Sequence, residues 1–308
     1  MSSKTKSFFK SWGLLILLSC IWGSSFILMK KGMFTEDEKP IFTAVQVGAL
    51  RMLIASFVLL PIAIPALIKL TNKKDLRFFA VVGGFGNLIP AFLFTYAETG
   101  ISSGLAGMLN SLTPIFTLLV GLLFFRQKLS LLQIVGSIIG TLGITALVYT
   151  GKSSSESGDL LHIFAIVIAT FFYGVSLNTI KNKLQDYPSM QISAIALSLI
   201  FIPALLVFFL SKTPQTIQNN SHAWEGLAAI SILAVVGTAI AVIIYNIMIR
   251  ASSTLFASSV TYFIPFVAIA IGSYHGEVMT SGQVLSMVVV LSGVILANYG
   301  YKIFKKKD

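Results

Sequence analysis

The stretch LNSLTPIFTLLVGLLFF, Leu109 to Phe125, is apolar enough to lie in a bilayer, yet it carries Asn110, Ser111, Thr113 and Pro114 near one end. A helix of about 20 apolar residues crosses the hydrocarbon core. An amide, two hydroxyls and a helix-breaking proline are costly there unless something satisfies them. What they are for depends on the rest of the chain.

Of 308 residues, 56% are hydrophobic and 11% charged, with a mean hydropathy of +0.88. Soluble domains hold roughly 45–50% apolar and about 25% charged residues, so this is a membrane chain. The single Cys20 excludes an internal disulfide framework, and isolated His162, His222 and His275 offer no metal-ligand spacing. No cofactor is implied. The net charge of +11 does not point to nucleic acid, because the basic residues sit between apolar runs.

Ten such runs are present: Trp12 to Met29, Ala44 to Ile68, Leu76 to Ala97, Leu105 to Phe125, Leu131 to Tyr149, Leu160 to Ile180, Met190 to Leu210, Trp224 to Met248, Leu255 to Tyr274 and Gly282 to Tyr301. Helix is the expected form, since lipid cannot satisfy backbone groups and the runs lack the alternation of barrel strands. With the N-terminus inside, sixteen Lys and Arg fall on cytoplasmic segments. Five (Lys30, Lys31, Lys39, Lys152 and Lys212) fall outside, and Arg51 lies within a span. The positive-inside rule then places both termini in the cytoplasm. The opening MSSKTKSFFKSWGLLILLSC resembles a signal peptide in composition, but its apolar run continues through WGSSFILM without a small-residue cleavage site, so it reads as the first span.

The proline stretch recurs. SSGLAGMLNSLTPIFTLLVGLLF at Ser102 to Phe124 aligns with STLFASSVTYFIPFVAIAIGSYH at Ser253 to His275, with Pro114 and Pro265 151 residues apart. Trp22-Gly23 matches Tyr173-Gly174, Lys30 matches Lys181, and Gly86 matches Gly237 at that offset. Gln133 matches Gln283, and Gly143 matches Gly293, at 150. The chain therefore reads as two five-helix units, residues 1–151 and 152–308, forming a single transport domain. A unit with an odd number of spans enters the membrane inverted the second time, which is the plan of many secondary transporters, with the solute held between the halves near the midplane.

On that plan the proline helices face a central cavity. Pro114 frees the carbonyl of Asn110, and Pro265 that of Thr261. Asn110, Thr113, Pro114 and Thr117 share one stripe, and Ser258, Thr261, Tyr262 and Pro265 another. The competing reading is a packing kink whose hydroxyls bond back to their own helix. Further substrate-binding candidates are Trp22 and Phe26 on the first span, Asn87 and Phe94 on the third, Tyr173 on the sixth, and Thr238 and Tyr245 on the eighth. Aromatics over a few polar groups suit a moderately large, partly apolar solute, although Trp and Tyr near span ends also serve as interfacial anchors. Arg51 and Glu98 are intramembrane charges, read first as a structural pair and second as solute or proton contacts. The GxxxG of Gly136 to Gly140 points to helix packing within the chain, or to a weak homodimer in place of a monomer.

CIWGSSFILMK of the first span, RMLIASFVLL of the second, LNSLTPIFTLLVGLLFFRQKLS with Gly136 and Gly143 after it, and YFIPFVAIAIGSYHGE of the second half resemble the tandem repeats of the EamA family in the drug/metabolite transporter superfamily. The resemblance runs from Trp12 to about Tyr299. It implies a ten-span permease of the cytoplasmic (plasma or inner) membrane that exports small metabolites, with a cavity formed by the first, third, fourth, sixth, eighth and ninth spans. Trp22, Asn110, Pro114, Tyr173 and Pro265 would sit at or beside it. Two features depart from the family pattern: its Gly-Glu, kept as Gly276-Glu277, is Arg126-Gln127 in the first half, and its second Trp-Gly is Tyr173-Gly174.

The leading functional reading is a secondary transporter or facilitator that exports amino-acid-like or drug-like solutes by alternating access. No GxxxxGK[ST] loop is present to bind a nucleotide. The alternative is an intramembrane enzyme acting on a lipid-linked substrate, which the scattered histidines disfavour.

Overall fold

The computed structural model describes residues 3–127, 129–151, 160–251, 260–277 and 280–304. The start of the ninth apolar run and Ser258 lie outside them. The regular secondary structure of the described residues is helix, apart from one isolated bridge, Phe34 to Pro40. The apolar helices are α1 (Ser3–Met33), α2 (Ala44–Ile68), α3 (Lys73–Ala97), α4 (Ser103–Phe125), α5 (Leu131–Gly151), α6 (Leu160–Lys183), α7 (Ser189–Leu210), α8 (Ala223–Met248), α9 (Val260–Tyr274) and α10 (Ser281–Phe304). Seven contain a segment long and apolar enough to cross a membrane. The apolar parts of α5, α9 and α10 are shorter. Below, the end of the bundle at which α1 begins is the proximal face and the other the distal face.

Side-chain caps set where the helices begin, because the first backbone N–H groups have no partner inside the helix. Thr43 and Gln46 form a capping box at α2, where Gln46 Nε2 also donates to Ser211 O (2.9 Å) and Thr216 Oγ1 (2.8 Å). Ser102 Oγ accepts from Leu105 N at α4. Ser130 with Gln133 opens α5, and Thr280 with Gln283 repeats the device at α10. The helix ends before α5 and α10 match as well. Arg126 and Gly276 both take left-handed φ, 53° and 86°, and Gln127 N and Glu277 N reach back to Gly121 O and Gly272 O.

The prolines act differently from one another. In α4 the helix stops at Asn110, turns through Ser111 and Leu112, and restarts at Thr113. The Asn110 carbonyl freed by Pro114 accepts from Thr113 Oγ1 at 2.8 Å, so the hydroxyl bonds back to its own helix, as in the packing reading. Pro265 lies inside the continuous α9. A break not expected from the sequence falls in α7 at Ile200, three residues ahead of Pro203.

Large apolar side chains such as Phe57, Ile68, Leu123, Phe209 and Leu210 point outward, as a lipid-facing surface requires. Inside, close approach replaces the hydrophobic drive that lipid removes. The GxxxG of α5 packs against α10 of the same chain: a Cβ at Gly136 would run into the backbone of Gly293 and Ala297, and one at Gly293 into that of Gly136 and Gly140. The main buried cluster joins α1, α4, α6, α8 and α9 through Leu15, Met29, Leu109, Ile166, Leu233 and Ile264.

Candidate functional site

The middle of α3 and α8 departs from regular helix at matching places. π turns run through Gly84–Leu88 and Val235–Ile240, 151 residues apart at their starts. Each widened turn displaces a carbonyl, and a side chain takes it. Asn87 Nδ2 donates to Val82 O at 3.2 Å, and Thr238 Oγ1 donates to Leu233 O at 3.2 Å. Asn87 therefore finds its partner on its own helix. Such bulges are frequent where a helix serves a function. Across them the halves meet reciprocally, with Ser176 of α6 against Gly86 and Ser25 of α1 against Gly237.

Between these elements lies a cavity of about 1110 Å³, including the space at its mouth. Trp22, Phe26, Asn87, Phe94, Asn110, Thr113, Tyr173, Thr238, Tyr245 and Thr261 all line it. Tyr262 does not; it packs partly buried against the neighbouring apolar clusters. Pro114 and Pro265 also stay out of the wall and shape it only through the backbone, and Thr117 bonds back to Thr113 O (2.7 Å). The rings form a lattice: Trp22 meets Tyr245 edge-on at 5.0 Å, and Phe94 lies 5.9 Å from both Phe26 and Tyr173. Trp22 Nε1 donates to Gly237 O, a carbonyl of the second π turn, at 3.1 Å. Lining residues that sequence reasoning missed include Met52 on α2, Ser193 and Ala196 on α7, and Asn246 on α8. Asn246 Nδ2 donates to Ser193 Oγ (2.8 Å), and Ser189 Oγ donates to Asn246 O (2.9 Å). A buried Asn facing a helix rich in Ser was the available signal.

The intramembrane charges do not pair. Arg51 lies in the cavity wall, where its Nε donates to Thr238 Oγ1 at 3.0 Å and its Nη1 approaches Met29 Sδ at 3.6 Å. Glu98 is buried off the wall, and neither of its carboxyl oxygens has a hydrogen-bond partner. A largely buried acid that does engage a cation is Glu277. Lys30 Nζ stands 2.7 Å from Glu277 Oε1, Ser103 N donates to Oε1 (3.0 Å), and Gly104 N donates to Oε2 (3.1 Å). This knot ties α1, the start of α4 and the α9–α10 turn together at the distal face. Burial alone would push the Glu277 carboxyl up, but the Lys30 ammonium and the two N–H groups outweigh it and hold it below the ordinary carboxylate value. The matching position in the first half is neutral: Gln127 Nε2 donates to Asn178 Oδ1 (3.1 Å), whose Nδ2 donates to Thr117 O and Gly174 O.

A helical membrane protein with a central, ring-lined cavity is the class these features define. The chain belongs to the EamA-like transporter family, whose model matches it at residues 10–149 and again at 160–299. It is 27% identical to an uncharacterized inner membrane transporter, YedA, of Escherichia coli, over 96% of this chain and 92% of that protein. It is 23% identical to a probable amino-acid metabolite efflux pump of Salmonella typhimurium, over 94% and 95% of the two chains. A protein of known crystal structure shares the fold, with a TM-score of 0.57, 14% identity and coverage of 96% and 98%.

Proposed function

We propose that this chain is a secondary transporter or facilitator that exports small organic metabolites across the cytoplasmic (plasma or inner) membrane by alternating access. It would do so as ten spans in two inverted five-helix repeats, with both termini in the cytoplasm. The observation that carries the reading is the cavity, whose wall is built from equivalent parts of each half. Trp22 and Tyr173, Asn87 and Thr238, and Asn110 and Thr261 stand 151 residues apart. The double family match supports the duplication, and the name of the Salmonella relative supports an amino-acid-like solute. In this cycle the ring-lined wall, Asn87, Asn110, Thr113, Thr238 and Thr261 contact the solute. The knot at Glu277 is the distal seal.

Flux of a metabolite panel into and out of proteoliposomes, with and without a pH gradient, tests the reading. Saturable movement of a solute across sealed vesicles is expected. Turnover of a lipid without movement of any solute would replace the carrier with an enzyme. Reporter fusions that place the N- and C-termini on opposite sides would abolish the inverted repeat.

A further inference from the structure

Arg51 is the single charged side chain among the described residues of the cavity wall. A guanidinium carries five N–H donors, and only two of its nitrogens are engaged here: Nε with the Thr238 hydroxyl and Nη1 with the Met29 sulfur, a weak acceptor. Among the described residues Nη2 has no hydrogen-bond partner, and no carboxylate forms a salt bridge with the guanidinium. The other cation near this end, Lys30, is held by Glu277. A cation on a mostly apolar cavity wall needs an anion to offset its desolvation.

Resting on the carrier reading above, we propose that the solute is an organic monocarboxylate with an apolar or aromatic body, anchored by its carboxylate on the fork of Arg51. One guanidinium without a second free cation matches one negative charge, and its planar geometry pairs with a carboxylate through two parallel hydrogen bonds. The rings of Trp22, Tyr173 and Tyr245 cover the rest of the molecule. Thr238 is the positioning residue. Its hydroxyl accepts from Nε, which fixes the guanidinium, and donates its own proton into the π turn. The rival occupant of the fork is Glu98, buried with both carboxyl oxygens unpartnered and within electrostatic range of Arg51.

The test uses matched probes, 3-phenylpropionate against 3-phenylpropionamide and phenylalanine against phenylalaninol. Each is measured by ligand-induced shift of the unfolding temperature in detergent and by flux in proteoliposomes. The wild type is expected to prefer the carboxylate member roughly tenfold or more, the scale of a charge-assisted bond. Arg51→Gln brings the preference to about one, Arg51→Lys keeps part of it, and Glu98→Gln leaves it intact. Equal handling of acid and amide by the wild type overturns the inference while leaving the carrier standing. So does a preference that survives Arg51→Gln. A uniform loss for every solute in both Arg51→Gln and Glu98→Gln, with any remaining preference unchanged, overturns it in favour of an internal ion pair. Carboxylate-selective binding without flux supports the anchor and removes the carrier. Neither binding nor flux of any probe counts against both. If Arg51→Gln does not fold, Arg51→Lys decides: a point charge without the fork must lower the preference.

Discussion

Glu277→Gln opens the distal knot with the least change of shape. The carboxylate accepts from Lys30 Nζ, Ser103 N and Gly104 N. Glutamine keeps one carbonyl oxygen for an N–H and turns its own NH2 against the other donors. A hydrogen bond to a charged group contributes about 1.5–3 kcal/mol, and breaking such a pair leaves the partner unsatisfied. Lys30 remains 28% exposed and Glu277 10%, so the ion pair is partly screened. A loss of about 2–3 kcal/mol from the distal-closed state follows, roughly a 30- to 160-fold gain in the distal-open fraction. Cys20 is the chain's one cysteine. In a Cys20→Ser background, Phe94→Cys puts a thiol on the cavity wall at the distal end of α3. A membrane-impermeant maleimide supplied from the distal side reads the open fraction as a labelling rate, and right-side-out and inside-out vesicles assign the side. The rate should rise by tens of fold with Glu277→Gln. A rate within about twofold of the parent, in a variant that still folds and inserts, would refute the seal.

Three further outcomes follow from the same contacts. The folded Glu277 carboxyl is held low, so its contribution to stability is complete above the ordinary carboxylate value of about 4.3 and is lost as pH falls through the lower folded value. The difference in unfolding temperature between wild type and Glu277→Gln should therefore be constant above about pH 5 and close on further acidification. Gly136→Val drives two methyl groups into the backbone of α10 and should destabilise the bundle by about 1–3 kcal/mol, visible as a lower unfolding temperature in detergent. On the proximal face, Tyr187 Oη donates to Asp75 Oδ2 at 2.6 Å, which pushes the phenol up to about 12. Tyr187 absorbance should accordingly titrate near that value, and Asp75→Asn should return it toward the usual value of about 10.

Composition and run length make the membrane class legible, because lipid leaves helix as the main way to satisfy so much apolar backbone. Most of the cavity wall is legible too, since polar and aromatic residues at helical spacing on apolar spans mark the face that avoids lipid. Local backbone geometry is less so. Asn87 and Thr238 look like solute ligands in the sequence, yet each also repairs a π turn, and no composition signal announces a widened turn. Tyr262 shares a helical stripe with Thr261 but stays off the wall: neighbours on a helix diverge by about 100°, so a stripe fixes a face only to within one residue. The Arg51–Glu98 pair fails for a related reason. Two charges on adjacent spans invite pairing by depth alone, whereas the nearest acceptor to the guanidinium is a hydroxyl on α8, far away in sequence.

The two halves agree in their neutral devices and differ in their charges. Glu277 and Gln127 occupy matching turns, and each backbone N–H reaches back to a glycine carbonyl. Glu277 binds a lysine and two helix N–H groups across elements, whereas Gln127 makes an amide bond of the kind that contributes about 0.5–1.5 kcal/mol. If the halves rock, the resting balance is set by the difference between the two seals, and the charged one is the stronger. Gln127→Glu tests that difference. It places a carboxylate at the proximal turn, in the half whose Lys181 lies 151 residues after Lys30 in sequence. A pair formed there would favour the distal-open state, so distal labelling of Phe94→Cys should quicken, as is expected for Glu277→Gln. The double variant Gln127→Glu with Glu277→Gln, in effect an exchange of the two residues between faces, should label fastest of all. Slower or unchanged labelling in that double variant would mean that the turns do not set the balance, and the seal would have to be sought in the ring lattice.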